Sequence, residues 1–486
     1  MKKFLKININ YEDMVKDFFI KHPNLYKKSY QEIINLYYSE FYWPGDALEK
    51  NLEELYNWQC NNIIFFQKEN LDSSIFYQKW CEANGINNNI ISKYDILIFQ
   101  IQYYNPDIVY FHEIWLIPEN ILEEIKLILP NIKIIGWNCA ISSLENLTGQ
   151  KYIDALFTCS DNIKNSLIKN NFCKVIKVNH MFEPKILKII KNSDKKKYDI
   201  IFFGKLLRNW YQERIDFFKY LIQNNINITI FGDTDDEELK LYCHSAIYGK
   251  EVYNVLANSK IVLNIHPKFL LDAANIRLFE VTGMGSLLLT DYKPNMNELF
   301  EEKVEAVTFK TYAQAKELIK YYLEHEEERK KIAIRGQKKT LKDYTYKVLA
   351  KEVYEFSKKE ISVKERYKYI LSIRRLDSQK KKELRNNLNN IIKQIKELSL
   401  KYKKIAIYGN GNISKLIQEY IPNIVVIFDQ LASKDSNSLN IYNPDDINIF
   451  EFDIIIISVI GYEKEIEEIL ILKYKIESSK IYIFNI

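Results

Sequence analysis

From Pro106 onward the chain alternates short β-branched runs with amphipathic stretches of helical period. That alternation is the strongest constraint on the fold. Parallel neighbours need a crossover long enough to hold a helix, whereas hairpins need only a short turn, so the pattern predicts α/β layers with parallel sheets. A first group of strands is expected at Asp107–Phe111, Ile132–Trp137, Ala155–Cys159 and Val175–Val178, each with polar residues at or near its carboxyl end. A second group is expected at Asp199–Phe203, Asn227–Phe231, Ile261–Ile265, Ser286–Thr290 and Ala306–Phe309. Residues 11–105 read as largely helical after one strand near Leu5–Ile9, and helices follow over about 312–358. The polar stretch from Glu183 to Lys197 separates the two groups.

Beyond residue 357 the pattern changes. Residues 358–404 carry a net charge of +11 in a chain whose total is only +5, and Leu384, Leu388, Ile391, Ile395, Leu398 and Tyr402 form a heptad seam. The expectation is a connecting helix that packs on a neighbouring domain, with a homodimer through 384–402 or the C-terminal domain as the alternative. A further strand, Gly-rich turn and helix begin at Lys404, and strands are expected at Asn423–Phe428, Phe452–Ile457 and Lys480–Phe484. The expected organisation is therefore 1–185, 186–357, a basic helical linker 358–403, and a small Rossmann-like accessory domain 404–486. Over 486 residues, 47% hydrophobic side chains supply several cores and exclude a mainly disordered chain.

The near-balanced charge argues against a nucleic-acid partner. The six cysteines (60, 81, 139, 159, 173 and 243) show no close spacing, which reads as reduced thiols and neither a disulfide framework nor a zinc site. The N-terminus reaches Asn8, Asn10, Glu12 and Asp13 before any apolar run of signal-peptide length, and the longest nearly apolar stretch, Ile454–Ile460, is far short of a membrane span. A cytoplasmic protein is expected, with the inner membrane surface as an optional station.

Two α/β units in series make a cleft where the carboxyl ends of both sheets face each other. The segment after Ile265 carries the chemistry expected there: His266, Asp272, Asn275, Arg277, Glu280, Gly283 and Gly285, then the strand Ser286–Thr290 and Asp291. A helix is expected from near Asn275, capped by that residue and stopped by Gly283 and Gly285. Arg277 in its first turn opposes the helix dipole unless an anion such as a nucleotide diphosphate sits there. Glu280, three residues on, is placed to accept ribose hydroxyls, and Asp272 to hydrogen-bond a sugar. Taken singly, these residues also fit a plain cap, an i,i+3 surface pair and a helix stop.

The pattern Asn275-x-Arg277-x-Phe279-Glu280-x-x-Gly283-x-Gly285, followed by Ser286–Asp291, resembles the donor-site signature of GT-B glycosyltransferases of the CgeB-like (spore-maturation-protein) group. Asp272 and Glu280 resemble the paired acids of retaining GT-B enzymes, with Asp in place of the first Glu. The stretches Pro106–Phe111, Asp154–Ser160 and Asp199–Gly204 are similar to the family's strand motifs, so the resemblance spans roughly residues 1–357. It implies a GT-B fold of two Rossmann-like domains and transfer of a sugar from a nucleotide-sugar to a glycan, lipid-linked or protein acceptor. It also implies neither an obligatory metal nor a bound cofactor.

Help for a departing diphosphate is expected from Arg277 and from one of Lys205, Arg208 and Arg214, which follow the strand end at Gly204. Gly204 and Gly232, each after a Phe, allow close backbone approach at strand ends. On the first half, His112 and Glu113 at the end of Asp107–Phe111, and His180 near the linker, are acceptor-side candidates. Asp233-Thr-Asp235-Asp236 imitates a D-x-D metal motif but reads as helix capping. Gly409-x-Gly411-x-x-Ser414 with Asp429 imitates a dinucleotide fingerprint, and a docking or assembly module is the preferred reading. The rival functions are a non-catalytic nucleotide-sugar or carbohydrate-binding protein and an enzyme dependent on a nicotinamide cofactor.

Overall fold

The computed structural model describes residues 1–42, 45–66, 71–84, 92–139, 152–169, 174–190, 195–268, 270–359, 391, 393–411, 414, 417–418, 421–429, 440–459 and 463–484. Among these residues the strands form three sheets, every pairing parallel. The first holds β1 (Lys3–Asn10), β2 (Gln59–Phe66), β3 (Ile108–Phe111), β4 (Lys133–Trp137), β5 (Ala155–Thr158) and β6 (Lys174–Lys177) in the order β2-β1-β3-β4-β5-β6. The second holds β7 (Tyr198–Phe203), β8 (Thr229–Phe231), β9 (Cys243–His244), β10 (Ser259–Asn264), β11 (Leu287–Asp291) and β12 (Val307–Phe309) in the order β12-β11-β10-β7-β8-β9. These two sheets belong to one compact unit, Met1–Asn84 with Ser92–Leu371.

Three strands escaped the sequence reading: the two-residue strands Cys243–His244 and Ile441–Tyr442, and β2. β2 lies inside the stretch expected to be helical and pairs with the whole of β1, from Lys3 opposite Gln59 to Asn10 opposite Phe66. Its first half, Gln59 to Asn62, is polar and partly exposed, so only the four residues Ile63–Phe66 form a buried apolar run. A run that short cannot be told from a helix segment by period alone.

The helix Tyr346–Ser357 closes the unit. Its Tyr346, Leu349, Val353 and Phe356 share one core with Phe4, Trp58 and Tyr110 of the first half, and Tyr354 stacks on Tyr56 at 3.8 Å between ring centroids. Each such buried side chain contributes roughly 1.5–3 kcal/mol. The chain thus crosses between the halves twice, side by side: Phe182 and Thr345 form an isolated parallel bridge, and the Phe182 N–H donates to the Tyr344 carbonyl at 2.7 Å.

The cysteines also depart from expectation. Cys139 and Cys159, twenty residues apart, follow β4 and β5, whose in-register pairing brings their sulfurs into bonding contact with a Cα–Cα distance of 5.7 Å. Adjacent strands create that pairing, and no local spacing signals it.

The second unit, Gly85–Ile91 with Ser372–Ile486, contains the third sheet: β13 (Ile405–Tyr408), β14 (Ile424–Phe428), β15 (Ile441–Tyr442), β16 (Ile454–Ile457) and β17 (Ile481–Tyr482), ordered β15-β14-β13-β16-β17. Of the heptad seam, Leu384 and Leu388 lie outside the described residues. Ile391, Ile395 and Leu398 pack into the core of this sheet with Ile405 and Ile407. No helix among the described residues is long and apolar enough to cross a membrane.

Candidate functional site

A cavity of about 230 Å³ opens inside the first unit, between the carboxyl ends of the second sheet and residues of the first half. Its wall on the second sheet is built by strand ends: Phe203, Gly204 and Lys205 after β7, and Phe231 and Gly232 at β8. Gly204 has φ +149° and Gly232 φ +150°, a region that glycine alone occupies without strain. A Cβ on Gly232 would stand 2.1 Å from the Gly204 carbonyl oxygen, so the two Phe-Gly ends lie back to back. The Gly204 N–H donates to the Phe231 carbonyl at 3.0 Å.

Facing them is the helix Arg277–Gly283. Its cap lies one residue later than expected. Ile276 occupies the cap position, while the Asn275 side chain is turned to donate to Asn264 Oδ1 at 2.7 Å. With seven residues the helix has little dipole to offer, and the charge at its start is mainly the Arg277 guanidinium. That guanidinium pairs with Glu280, one turn on, and lies over the Phe203 ring, 3.0 Å from its centroid. The Tyr253 hydroxyl donates to the other Glu280 oxygen at 3.4 Å. Burial pushes the Glu280 carboxyl up, opposed by Arg277 and the Tyr253 hydrogen bond, and burial pulls Arg277 down, opposed by Glu280. The pair is charge-balanced, and both residues line the cavity.

The three other basic candidates separate. Lys205 lines the cavity, 3.4 Å from Asp13. Arg208 instead pairs with Asp236 at 2.8 Å, and its backbone N–H donates to Asp235. Arg214 donates from Nε to the Ile265 carbonyl at 2.9 Å and from Nη1 to the Lys205 carbonyl at 3.4 Å. It therefore braces the loops that carry Lys205 and His266, and burial pushes its pKa down to about 10. Asp236 also accepts from the Leu239 N–H, making this acidic stretch a cap for the following turn.

Asp272 takes a different partner from the sugar expected for it. Its carboxylate accepts from Ser160 Oγ at 2.7 and 2.9 Å and from the Asp161 N–H at 2.7 Å, at the start of helix Asp161–Lys169 in the first half. It is a latch between the halves. His266 is fully buried, with Nδ1 2.7 Å from Asp291, and lines a separate groove with Tyr292 and Lys293. Gly283 packs under Phe182, where an added Cβ would meet the ring at 2.5 Å, and Gly285 at φ +74° ends the helix. Both lie at the end of the helix remote from the cavity.

On the first half, His112 and His180 border a small cavity with Lys6, Tyr110 and Trp137. Met181 and Tyr346 line both this cavity and the main one, so they form the partition. Burial, with Lys6 and His180 adding to it, holds the His112 pKa well below the usual range, and burial pushes His180 down to about 4. Both imidazoles are neutral at neutral pH. Glu113, in the left-handed region at φ 61°, accepts from Trp115 Nε1 at 2.5 Å, and burial pushes its carboxyl up.

Sequence reasoning missed much of the opposite wall: Met14, Phe41, Met181, Glu183 and Tyr346. It also missed Tyr248, Gly249 and Tyr253. Gly249 could have been a signal. It has φ +57°, starts the helix Lys250–Ala257, and comes so close to the Glu40 carbonyl oxygen that a Cβ would sit 2.3 Å away.

In the third sheet the Gly409 turn is filled from within the protein. Asp429 accepts the Asn410 N–H at 2.9 Å, and a Cβ on Gly409 would meet Val459 at 2.5 Å.

Residues 211–355 match the family model described as glycosyl transferase-like. No curated protein matches the chain. Among solved structures, an alpha-glucosyltransferase in complex with UDP-glucose and DNA containing an abasic site is similar at 11% identity and TM-score 0.51, over 74% of this chain and 99% of that one. A glycosyltransferase from Rickettsia africae ESF-5 is similar at 12% identity and TM-score 0.46, over 74% and 98%. Anabaena Alr3699/HepE in complex with UDP and glucose is similar at 12% identity and TM-score 0.42, over 73% and 99%. The two parallel, Rossmann-like sheets facing a cleft are the architecture of GT-B glycosyltransferases.

Proposed function

We propose that the chain is a glycosyltransferase that binds a nucleotide-sugar in the cleft beneath Arg277 and Glu280. The observation that carries this reading is the charge-balanced Arg277–Glu280 pair opening onto a cavity whose other wall is the glycine-ended strands β7 and β8. Gly204 and Gly232 let the two strand ends line the cavity with no side chain of their own, Arg277 and Lys205 supply cations beside a diphosphate, and Glu280 accepts the ribose hydroxyls.

In the reaction, an acceptor hydroxyl oxygen forms the new bond to the anomeric carbon while the bond from that carbon to the diphosphate oxygen breaks. The electron pair leaves with the nucleoside diphosphate, where Arg277 and Lys205 offset its charge. These two cations take the place of a metal ion. The acceptor, a hydroxyl of a glycan, lipid-linked saccharide or protein, enters from the first-half wall past Met181 and Tyr346. Neutral His112, behind that partition, is the group assigned to accept its proton.

Calorimetry with a panel of nucleotide-sugars, UDP-glucose first, tests the assignment. Arg277→Ala and Glu280→Ala should each weaken donor binding roughly 10- to 100-fold, the value of hydrogen bonds to charged groups, while circular dichroism stays unchanged. Unaltered donor affinity in both variants removes the reading. Slow hydrolysis of the bound donor without acceptor separates an enzyme from a cleft that binds without turnover.

A further inference from the structure

Three neighbouring strands of the first sheet each deliver one soft or borderline donor at the carboxyl end. Cys139 lies two residues past β4, Cys159 one past β5, and His180 three past β6. The pairing of Gly136 with Leu156 and of Trp137 with Phe157 carries Cys139 and Cys159 to the same level, and the next pair of strands brings His180 beside them. One ligand atom from each of the three lies within 4.8 Å of the other two.

We propose that Cys139, Cys159 and His180 form a binding site for a thiophilic divalent cation, zinc in the first instance, distinct from the donor cleft. Tetrahedral zinc with bonds of about 2.3 Å to sulfur and about 2.0 Å to nitrogen needs donors roughly 3.5–3.8 Å apart, so the reduced Cys139 and Cys159 sulfurs must move apart from the bonding contact they make here. Two thiolates and one imidazole around a divalent cation are electrically neutral, so a buried position costs no net charge. The Cys159 N–H donates to Cys139 Sγ at 3.1 Å, the kind of amide-to-sulfur bond that supports a thiolate. Cys159 is buried and Cys139 partly exposed, which leaves one side for entry and for a fourth, exogenous ligand. The bonding contact between the two sulfurs in this structure is the oxidised arrangement and uses only two of the three donors; the metal-binding form is the reduced one, with both cysteines as thiolates. The metal uses all three, and it ties the ends of β4, β5 and β6 next to Ser160, the residue on which Asp272 latches.

The test uses the full chain, purified with reductant and without chelator. Atomic spectroscopy should find about one zinc per chain, and Co²⁺ added to the zinc-free protein should give a sulfur-to-cobalt charge-transfer band and tetrahedral d–d bands. Cys139→Ser, Cys159→Ser and His180→Gln should each weaken cobalt binding at least about tenfold. Cys60→Ser and Cys243→Ser should leave it unchanged. Reduced thiols with no bound zinc and no cobalt–thiolate band overturn the proposal. So does thiol titration showing Cys139 and Cys159 oxidised to a disulfide in metal-free protein kept under reductant. The cobalt spectrum of the unsubstituted chain keeps the test decisive if a variant fails to fold. Because the readout is metal binding, its failure is independent of donor binding.

Discussion

The two sheets of the first unit have the same number of strands and the same parallel sense, yet their carboxyl-end rims are built oppositely. The second sheet presents charge: Lys205, Arg277 and Glu280 around a cavity that Gly204 and Gly232 also line. The first sheet presents mostly neutral polar groups that are buried, Asn8, His112, Asn138, Ser160 and His180, with the Glu113 carboxyl beside His112. Asn8 has both side-chain polar atoms buried and unpartnered among the described residues. A rim that sets cations beside a cavity suits a diphosphate, whose charge they offset. A closed neutral rim suits hydroxyl groups and soft metal donors.

Glycine variants break or sharpen this contrast most strongly. Gly232→Ala places a Cβ 2.1 Å from the Gly204 carbonyl at φ +150°. Backbone strain of about 1–3 kcal/mol adds there to about 1–3 kcal/mol of overpacking. In the first sheet, Gly136→Ala meets only side-chain methyls, Ile114 Cγ2 at 2.6 Å and Leu156 Cδ1 at 2.9 Å, so about 1–3 kcal/mol is expected. Urea denaturation of both should show the larger loss at Gly232, and the reverse order would mean that the rim of the second sheet is the more forgiving of the two.

Next in size is the latch. Asp272→Ala removes the acceptor for Ser160 Oγ and the Asp161 N–H, for about 1.5–3 kcal/mol of stability measured in the same way. Because the latch joins the halves, limited proteolysis should also accelerate in the variant. A stability loss without faster proteolysis would place the effect within one half alone.

Lys205→Ala should reduce donor affinity by at most about fivefold, since a half-exposed ammonium contributes about 0.2–1 kcal/mol. An effect equal to that of Arg277→Ala would make the lysine the principal phosphate cation. The smallest effect is expected at Asp429→Ala, in the second unit. There the carboxylate serves the Asn410 N–H, and donor affinity should stay within about twofold of the parent.

The sequence was most legible where local periodicity and local chemistry coincide. Strands β3 to β8 and β10 to β14 lie where β-branched runs end in polar or glycine residues, and Arg277 with Glu280 can be read as a pair because three residues make one helical turn. β2 was illegible because half of it is polar, its partner β1 lying fifty-odd residues away. Arg208, Arg214 and Lys205 look alike as sequence, and only the fold shows that two of them answer to Asp236 and to the Ile265 carbonyl while Lys205 meets the cavity. Asp272 looks like a sugar ligand for the same reason: its spacing from Glu280 is local, but its hydrogen-bond partners are more than a hundred residues away.

What the sequence alone determined, then, is the alternation of strand and helix, the glycine-ended strands and the Arg277–Glu280 pair. Each of these follows from backbone sterics or from spacing within one or two turns. Tertiary structure alone decided which charges face the cleft, that Tyr346 and Met181 divide it, and that Cys139, Cys159 and His180 meet. Those outcomes depend on which strands become neighbours, and strand order is settled by packing over the whole unit, where hydrophobic burial has no preference for partners close in sequence.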